Sequence, residues 1–310
     1  MGPGGVGGYF GARLAAGGEE VHFIGRGAHL EAIRSRGLEV KSGTGDVRVA
    51  PARATGDPAE VGPVDLVMLT VKLWSTDEAL RRAKPLVGPE TAVVSFQNGV
   101  VAAEAIAQTY GRDRTWGGVA QIAAVIERPG VIRHTGTLAN LIVGELGGPV
   151  SPRVQAFVGA AARVGIQIQA TDDIQRAIWE KYVFLVGVSG LTTLTRLPLG
   201  PIREDPETRA LLAQVMAEVV TVARARGVRL APDLVEGLLR RLDGLPREMV
   251  ASMLGDLERG NRLELPWLSG GVTAMGRELG VPTPANQFIA TALKPYVDGR
   301  PADTRPPAAP

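Results

Sequence analysis

Apolar positions in the first half of the chain fall into short runs separated by helical stretches. Gly2-Pro3-Gly4-Gly5-Val6-Gly7-Gly8 opens the chain and runs into Tyr9–Ala16, a helical pattern closed by Gly17-Gly18. Glu20–Gly25 alternates and reads as a strand, His29–Arg36 as a short helix, and Leu38–Ala50 as one or two strands around a Ser-Gly-Thr-Gly-Asp turn. Asp65–Val71 and Thr91–Phe96 are apolar on both faces, as suits parallel strands covered on both sides, and Thr76–Ala83 between them is helical. Trp116–Val143 breaks into extended segments separated by glycines and Pro129, the pattern of antiparallel strands completing a sheet. Val154–Val164 reads as a helix and Ile166–Ala170 as a last short strand. Strands alternating with helices predict a doubly wound α/β sheet.

After Thr171 only the helical period recurs. Asp173–Thr195, Thr208–Arg226, Asp233–Leu242, Pro246–Glu258, Arg262–Leu279 and Asn286–Tyr296 are predicted helices, so the second domain is expected to be all-α. The expected division is a Rossmann-type dinucleotide-binding domain over residues 1–170, a helical domain over 171–298, and a disordered Pro- and Ala-rich tail over 299–310.

Composition narrows the function classes. A chain of 310 residues with 45% apolar and 21% charged side chains is long enough for two buried cores. The absence of cysteine excludes disulfides, thiolate metal sites and a cysteine nucleophile, and three histidines scattered at 22, 29 and 134 suggest no metal. Thirty-four Lys and Arg against 32 Asp and Glu leave a net charge of +2 with no basic run, which argues against a nucleic-acid partner. Apolar runs such as Val183–Val188 fall far short of the roughly 20 residues of a membrane span. The glycine-rich start is no signal peptide, so a cytoplasmic location is the default expectation.

The opening glycines fit G-x-G-x-x-G as Gly2, Gly4 and Gly7, with Gly5 and Val6 between them. In such a loop one glycine makes the tight turn, one lets the backbone approach a pyrophosphate, and one lets helix and strand pack closely. The motif ordinarily follows a strand, yet only Met1 precedes it. Without that central strand its neighbours would keep unpaired ladder groups, so the natural chain is expected to start several residues earlier. NAD enzymes of this plan carry an acid at the end of the second strand, whereas here the strand ends Phe23-Ile24-Gly25-Arg26. The Arg26 guanidinium suits a 2′-phosphate, and Lys72, just past Asp65–Val71, adds a second charge, so NADP(H) is expected over NAD(H).

In the helical half, Ile174, Ala177, Ile178, Lys181, Leu185 and Val188 share one stripe at helical spacing, and Lys181 is its only charge. Such a lysine either snorkels to solvent or is buried, with a pKa lowered toward the range of acid–base chemistry. Ser252 and Glu264 stand among apolar neighbours, on helices predicted over Pro246–Glu258 and from Arg262. Pro266 is tolerable only in the first turn of the latter, and each of the two residues, taken alone, reads more readily as a solvated helix position.

Taken together, GPGGVGG, the strand ending in Arg26, VKLW around Lys72, QNGV around Asn98, WEKYVF around Lys181, ASMLGDL around Ser252 and Glu264 twelve positions further on carry a resemblance. From Gly2 to about Leu293 the chain resembles the ketopantoate reductases (2-dehydropantoate 2-reductases). The resemblance implies a Rossmann domain followed by an all-α domain similar to that of phosphogluconate dehydrogenase, with the active site between them. It implies NADPH-dependent reduction of 2-dehydropantoate to pantoate, a step toward pantothenate and coenzyme A. It further implies that Lys181 is the general acid and that Glu264 holds the lysine and the substrate hydroxyl. Asn98 and Ser252 would hydrogen-bond the substrate and the nicotinamide ribose or carboxylate groups. A small-molecule 2-keto acid is then the partner, with a homodimer as a candidate assembly. The family's asparagines four and eight positions after the lysine are here Leu185 and Ser189, which leaves Ser189 as a substrate-binding candidate in a more apolar pocket. Two alternatives stay open: a related reductase of a more apolar 2-keto acid, and an NADP-sensing protein without turnover. The retained Lys181, Ser252 and Glu264 weigh against the second.

Overall fold

The Gly-rich opening passes directly into helix α1 (Gly5–Ala16), which begins at Gly5 rather than at Tyr9. Alternation of short strands and helices follows in the computed structural model, which describes residues 1–301; residues 302–310 of the tail expected to be disordered lie outside the described residues. The order is β1 (His22–Ile24), α2 (Gly27–Arg36), β2 (Leu38–Ser42), β3 (Val47–Val49), β4 (Arg53–Thr55), β5 (Leu66–Leu69), α3 (Thr76–Ala83), β6 (Ala92–Ser95), α4 (Ala102–Tyr110), β7 (Thr115–Arg128), β8 (Val131–Glu145), α5 (Pro152–Arg163) and β9 (Gln167–Ala170). Strands β1, β5 and β6 are trimmed at their ends relative to the apolar runs that predict them, and β4, α4 and a helix described below were not expected.

The main sheet runs β3-β2-β8-β7-β6-β5, with β9 pairing β8. The β5–β6, β6–β7, β2–β8 and β8–β9 pairs are parallel, while β7 and β8 form the expected long antiparallel hairpin. One face is covered through Phe10, Leu14, Val154 and Ala161 of α1 and α5, the other through Ala79, Leu80 and Ile106 of α3 and α4. This two-sided cover is why Val93 and Val94 of β6 are both fully buried. Strands β1 and β4 form a separate parallel pair. Met1 and Gly2 connect it to β5: Met1 N donates to Met68 O (3.0 Å), Thr70 N to Met1 O (3.0 Å) and Gly2 N to Ile24 O (2.9 Å).

The chain folds as two compact units, Met1–Ile178 and a second that begins at Trp179, so the division falls inside α6 (Ile174–Thr195). The second unit continues with α7 (Leu199–Glu204), α8 (Pro206–Ala225), α9 (Leu234–Asp243), α10 (Ser252–Glu258), α11 (Ser269–Leu279) and α12 (Pro284–Leu293), and among its described residues there is no strand. Bare glycines let α6 approach its neighbours. A Cβ on Gly187 would press into Met216 and Leu212 of α8, and one on Gly190 would meet Ile289 of α12. No helix among the described residues is long and apolar enough to cross a membrane.

Two predicted helices are corrected here. Pro246–Glu258 is helical only from Ser252, because the carbonyls of Met249 and Arg247 turn outward to accept the Leu199 and Gly200 N–H groups (2.8 and 2.9 Å) that open α7. Arg262–Leu279 is interrupted as well. Leu263 N donates to Val297 O (2.9 Å), Leu265–Trp267 forms a single 3₁₀ turn around Pro266, and α11 starts only at Ser269. Glu264 therefore caps a tight turn, and Pro266 sits where its missing N–H costs nothing.

The second unit is stapled by Glu218 of α8, whose buried carboxylate accepts from Ala285 N (2.8 Å), Asn286 N (2.9 Å) and Asn286 Nδ2 (2.8 Å). It supplies to α12 the N-terminal acceptor that Thr283 does not. Glu218→Ala leaves the Ala285 and Asn286 backbone N–H groups buried and unpaired, while Asn286 Nδ2 keeps its bond to Val215 O (3.1 Å). At roughly 1–3 kcal/mol for each such group, the variant is expected to lose about 3 kcal/mol in urea unfolding followed by helical signal, and a loss under about 1 kcal/mol would refute the staple.

Candidate active site

The residues singled out by sequence fall in both units. In the first, α1 starts at the glycine loop with Gly4 as its N-cap and no side-chain cap, and its first helical bond is Gly8 N to Gly4 O (2.7 Å). The N–H groups of Gly5, Val6 and Gly7 therefore have no partner further back in the helix. The glycines are required for different reasons. Gly2 adopts φ +85°, a left-handed conformation costly for any residue with a Cβ. A Cβ on Gly7 would overlap Thr70 Oγ1, and one on Gly5 would collide with Ala124 O. A Cβ on Gly4 would meet nothing within 4 Å, so no protein packing demands its bareness. Open space over free N–H groups at a helix N-terminus fits a pyrophosphate.

Three side chains fix this loop and the strand ends beside it. Thr70, after β5, donates to Met1 O (2.9 Å) and Gly2 O (2.8 Å). His29 of α2 reaches Pro3 O through Nε2 (2.7 Å) while its Nδ1 accepts from Gly130 N (3.1 Å). Only the neutral tautomer with hydrogen on Nε2 satisfies both bonds. Desolvation lowers its pKa, against the smaller raising effect of the Pro3 carbonyl. Gln97 donates to Val71 O and Thr76 Oγ1 (both 2.9 Å), tying the exit of β6 to the exit of β5. Lys72 and Asn98 flank that tie. Lys72 is exposed with its ammonium 5.8 Å from the Trp74 ring centroid, and Asn98 is half-buried in the turn before Gly99. Arg26 N-caps α2, exposed, with Nη1 3.5 Å from Glu78 Oε2.

In the second unit, Lys181 is half-buried on α6 between Glu180 and buried Tyr182. Desolvation lowers its pKa to about 8, and the negative charge of Glu264 acts in the opposite direction. Glu264 is itself buried at 6% exposure, so the structure brings together a desolvated ammonium and a buried carboxylate. Tyr182 explains how the carboxylate is delivered. Its hydroxyl is shared between Trp267 O (2.9 Å) and Leu268 O (3.0 Å), pinning the turn after Glu264 to the residue beside Lys181. Burial pushes the Tyr182 hydroxyl pKa up, which keeps it a donor. Ser189 is buried with Oγ unpartnered, and Leu185 is half-buried. Ser252 is exposed at the first position of α10.

Sequence reasoning missed His29, Gln97 and Tyr182, since each acts through backbone carbonyls or N–H groups remote in sequence. Only Gln97 and Tyr182 lay within motifs it quoted. His134 is buried in β8, where it bonds Ser42 Oγ (2.8 Å) and Leu138 O (3.1 Å).

A glycine-loop α/β unit joined to an all-α unit bearing a desolvated lysine is the make-up of a nicotinamide dinucleotide-dependent oxidoreductase. The chain belongs to the ketopantoate reductase family. The family model "Ketopantoate reductase PanE/ApbA" matches residues 1–148 and its C-terminal counterpart residues 173–297. The chain is 35% identical to a 2-dehydropantoate 2-reductase of Mesorhizobium japonicum, over 95% of each chain. Among solved structures it is similar to the 2-dehydropantoate 2-reductase of Geobacter metallireducens GS-15 (32% identity, TM-score 0.88, 95% of this chain and 97% of that one). It is also similar to the PanE/ApbA family ketopantoate reductase of Ralstonia eutropha JMP134 (31%, TM-score 0.87, 96% of each).

The His29 bonds give a pH-dependent expectation. Its folded-state pKa lies below the unfolded value, so the stability it contributes is fully present above an unfolded pKa of about 6.5 and is lost as pH falls toward the folded value. His29→Ala is expected to weaken NADH binding severalfold at pH 7.5, at about 1 kcal/mol per net hydrogen bond, and to flatten the fall in Tm between pH 7.5 and 5.5. Unchanged binding together with an unchanged Tm slope would show that the histidine does not hold the loop.

Proposed function

We propose that the protein reduces 2-dehydropantoate to pantoate with NADPH. The reading is carried by one observation: a desolvated ammonium, Lys181, under the charge of a buried carboxylate, Glu264. When bound, the reduced nicotinamide supplies hydride to the keto carbon. Negative charge then develops on the keto oxygen, and Lys181 Nζ stabilises it before giving up one proton, so that the carbonyl becomes a secondary alcohol. The neutral lysine recovers its proton from solvent, and the charge of Glu264 favours that recovery. Burial works against the protonated form of Lys181, and the charge of Glu264 works for it. The glycine loop supports a dinucleotide pyrophosphate, and Arg26 with Lys72 supports a 2′-phosphate. Asn98, Ser252 and Ser189 are assigned to substrate and nicotinamide groups; the buried, unpartnered Ser189 Oγ is the strongest of the three on physical grounds. The names of the relatives favour this substrate.

Lys181→Ala is expected to lower kcat by about 10²-fold or more while dinucleotide Kd changes less than about twofold. Turnover of the wild type should fall as pH rises through about 8, because the acid form of Lys181 is the active one. In Glu264→Gln that limb should move to lower pH, since the raising influence is gone. Wild-type turnover in Lys181→Ala, or an alkaline limb unmoved in Glu264→Gln, would exclude these roles.

A second reading, a 2-keto acid with a more apolar side chain, is favoured by Leu185 and Ser189 where the family pattern has amides. Assaying 2-dehydropantoate beside branched aliphatic 2-keto acids by NADPH oxidation separates the two. The first reading expects the hydroxylated substrate to have the highest kcat/KM, and an equal or greater value for an unhydroxylated acid would favour the second.

A further inference from the structure

We propose that Glu78 sets how strongly this protein prefers a phosphorylated dinucleotide, by competing for Arg26 with the 2′-phosphate. The inference rests on the reading of Arg26 as the 2′-phosphate ligand and adds a second, opposing residue to it.

Arg26 ends the turn after β1 in extended conformation, and its side chain is 69% exposed, with one fork nitrogen 3.5 Å from Glu78 Oε2. Glu78 is delivered from a different element, the first turn of α3, where a carboxylate is favoured by the helix dipole whether or not Arg26 is present. Its position also follows from the tie at the end of β5, because Gln97 Nε2 donates to Thr76 Oγ1 (2.9 Å) two residues before it. The first turn of α3 thus places the carboxylate beside Arg26.

Two consequences follow from charge. A 2′-phosphate carries roughly −1.5 to −2 at neutral pH, and to engage Arg26 it has to take the guanidinium from Glu78 and then remain beside a like charge. An unphosphorylated ribose offers a neutral 2′-hydroxyl, which can donate to Glu78 as it would to the strand-end acid of an NAD-type site. One locus therefore holds a cation that favours NADPH and an anion that favours NADH. Long, exposed ion pairs are weak, so the displacement lowers NADPH affinity without preventing binding.

The test measures Kd for NADPH and NADH by nucleotide fluorescence in wild type, Glu78→Gln, Arg26→Ala and Asp77→Asn at fixed ionic strength. Asp77→Asn removes the same charge from the neighbouring position of the same helix. Glu78→Gln is expected to raise the NADPH-over-NADH preference about three- to tenfold, with NADPH bound more tightly and NADH no better than before. Arg26→Ala is expected to lower the preference, and Asp77→Asn to change it less than about twofold. If Arg26→Ala lowers the preference while Glu78→Gln leaves or lowers it, the Glu78 role is overturned and the reading of Arg26 stands. If Asp77→Asn matches Glu78→Gln, the pair has no specific part and the proposal is overturned. If Arg26→Ala leaves the preference unchanged, the reading and the proposal fall together.

Discussion

Burial pushes Lys181 toward its neutral form, and the charge of Glu264 pushes back. A lysine surrounded by aliphatic side chains loses hydration, and the loss favours its neutral form; a carboxylate held nearby restores part of the charge. Neither group is stable alone. Removing one leaves an uncompensated charge in a poorly hydrated place, a larger penalty than the pair itself contributes. The second unit is arranged accordingly. Two carbonyls after Glu264 are gripped by the Tyr182 hydroxyl, one residue from the lysine, and the close packing of α6 at Gly187 and Gly190 holds the helix that presents both Lys181 and Tyr182. The helix is long because its neighbours bury it on several sides, and that burial is what shifts the lysine.

The first unit meets a different constraint with comparable economy. A loop proposed to hold a pyrophosphate must present bare N–H groups, so it cannot be stiffened by side chains within it. Stiffness comes instead from outside: Thr70 and His29 grip the carbonyls of Met1, Gly2 and Pro3. Gln97 then locks the two strand exits on which Lys72 and Asn98 stand. The bonds to the loop itself go to backbone, so its own residues remain free to be glycine.

Most of the α/β order was legible because parallel strands buried on both faces are continuous apolar runs, as at Asp65–Val71 and Thr91–Phe96. What escaped has physical reasons. Strand β4 is three residues, Arg53-Ala54-Thr55, whose only apolar member is an alanine. In α4 the periodic signal is carried mainly by alanine, which packs well and patterns weakly. The helix drawn from Pro246 failed because its carbonyls are used by α7, a tertiary bond invisible to local periodicity. The tight turn at Glu264 was hidden for the same reason, although Pro266 signalled a break there. Of the proposed site, Lys181 and Glu264 stood out in the sequence as charged residue types among apolar neighbours. The groups that position them did not, since a histidine or tyrosine bonded to a distant carbonyl leaves no spacing to read.

On the proposed reading, substrate choice turns on Leu185 and Ser189, and there the chemistry is asymmetric. A pocket that hydrogen-bonds a substrate hydroxyl rejects an analogue lacking it by about 10⁴–10⁵, because the pocket's own buried polar groups would be left unpaired. A hydrophobic wall tolerates an added hydroxyl far more readily, with discrimination nearer 10². Leucine in place of an amide therefore removes the reason to refuse an unhydroxylated 2-keto acid while leaving hydride addition and the lysine's proton untouched. Ser189, buried with its hydroxyl unpartnered, keeps one polar contact available on the same helix. On the proposed reading, Lys181 and Glu264 set the reaction, and the breadth of the substrate range follows from how much work that single hydroxyl does in place of two amides.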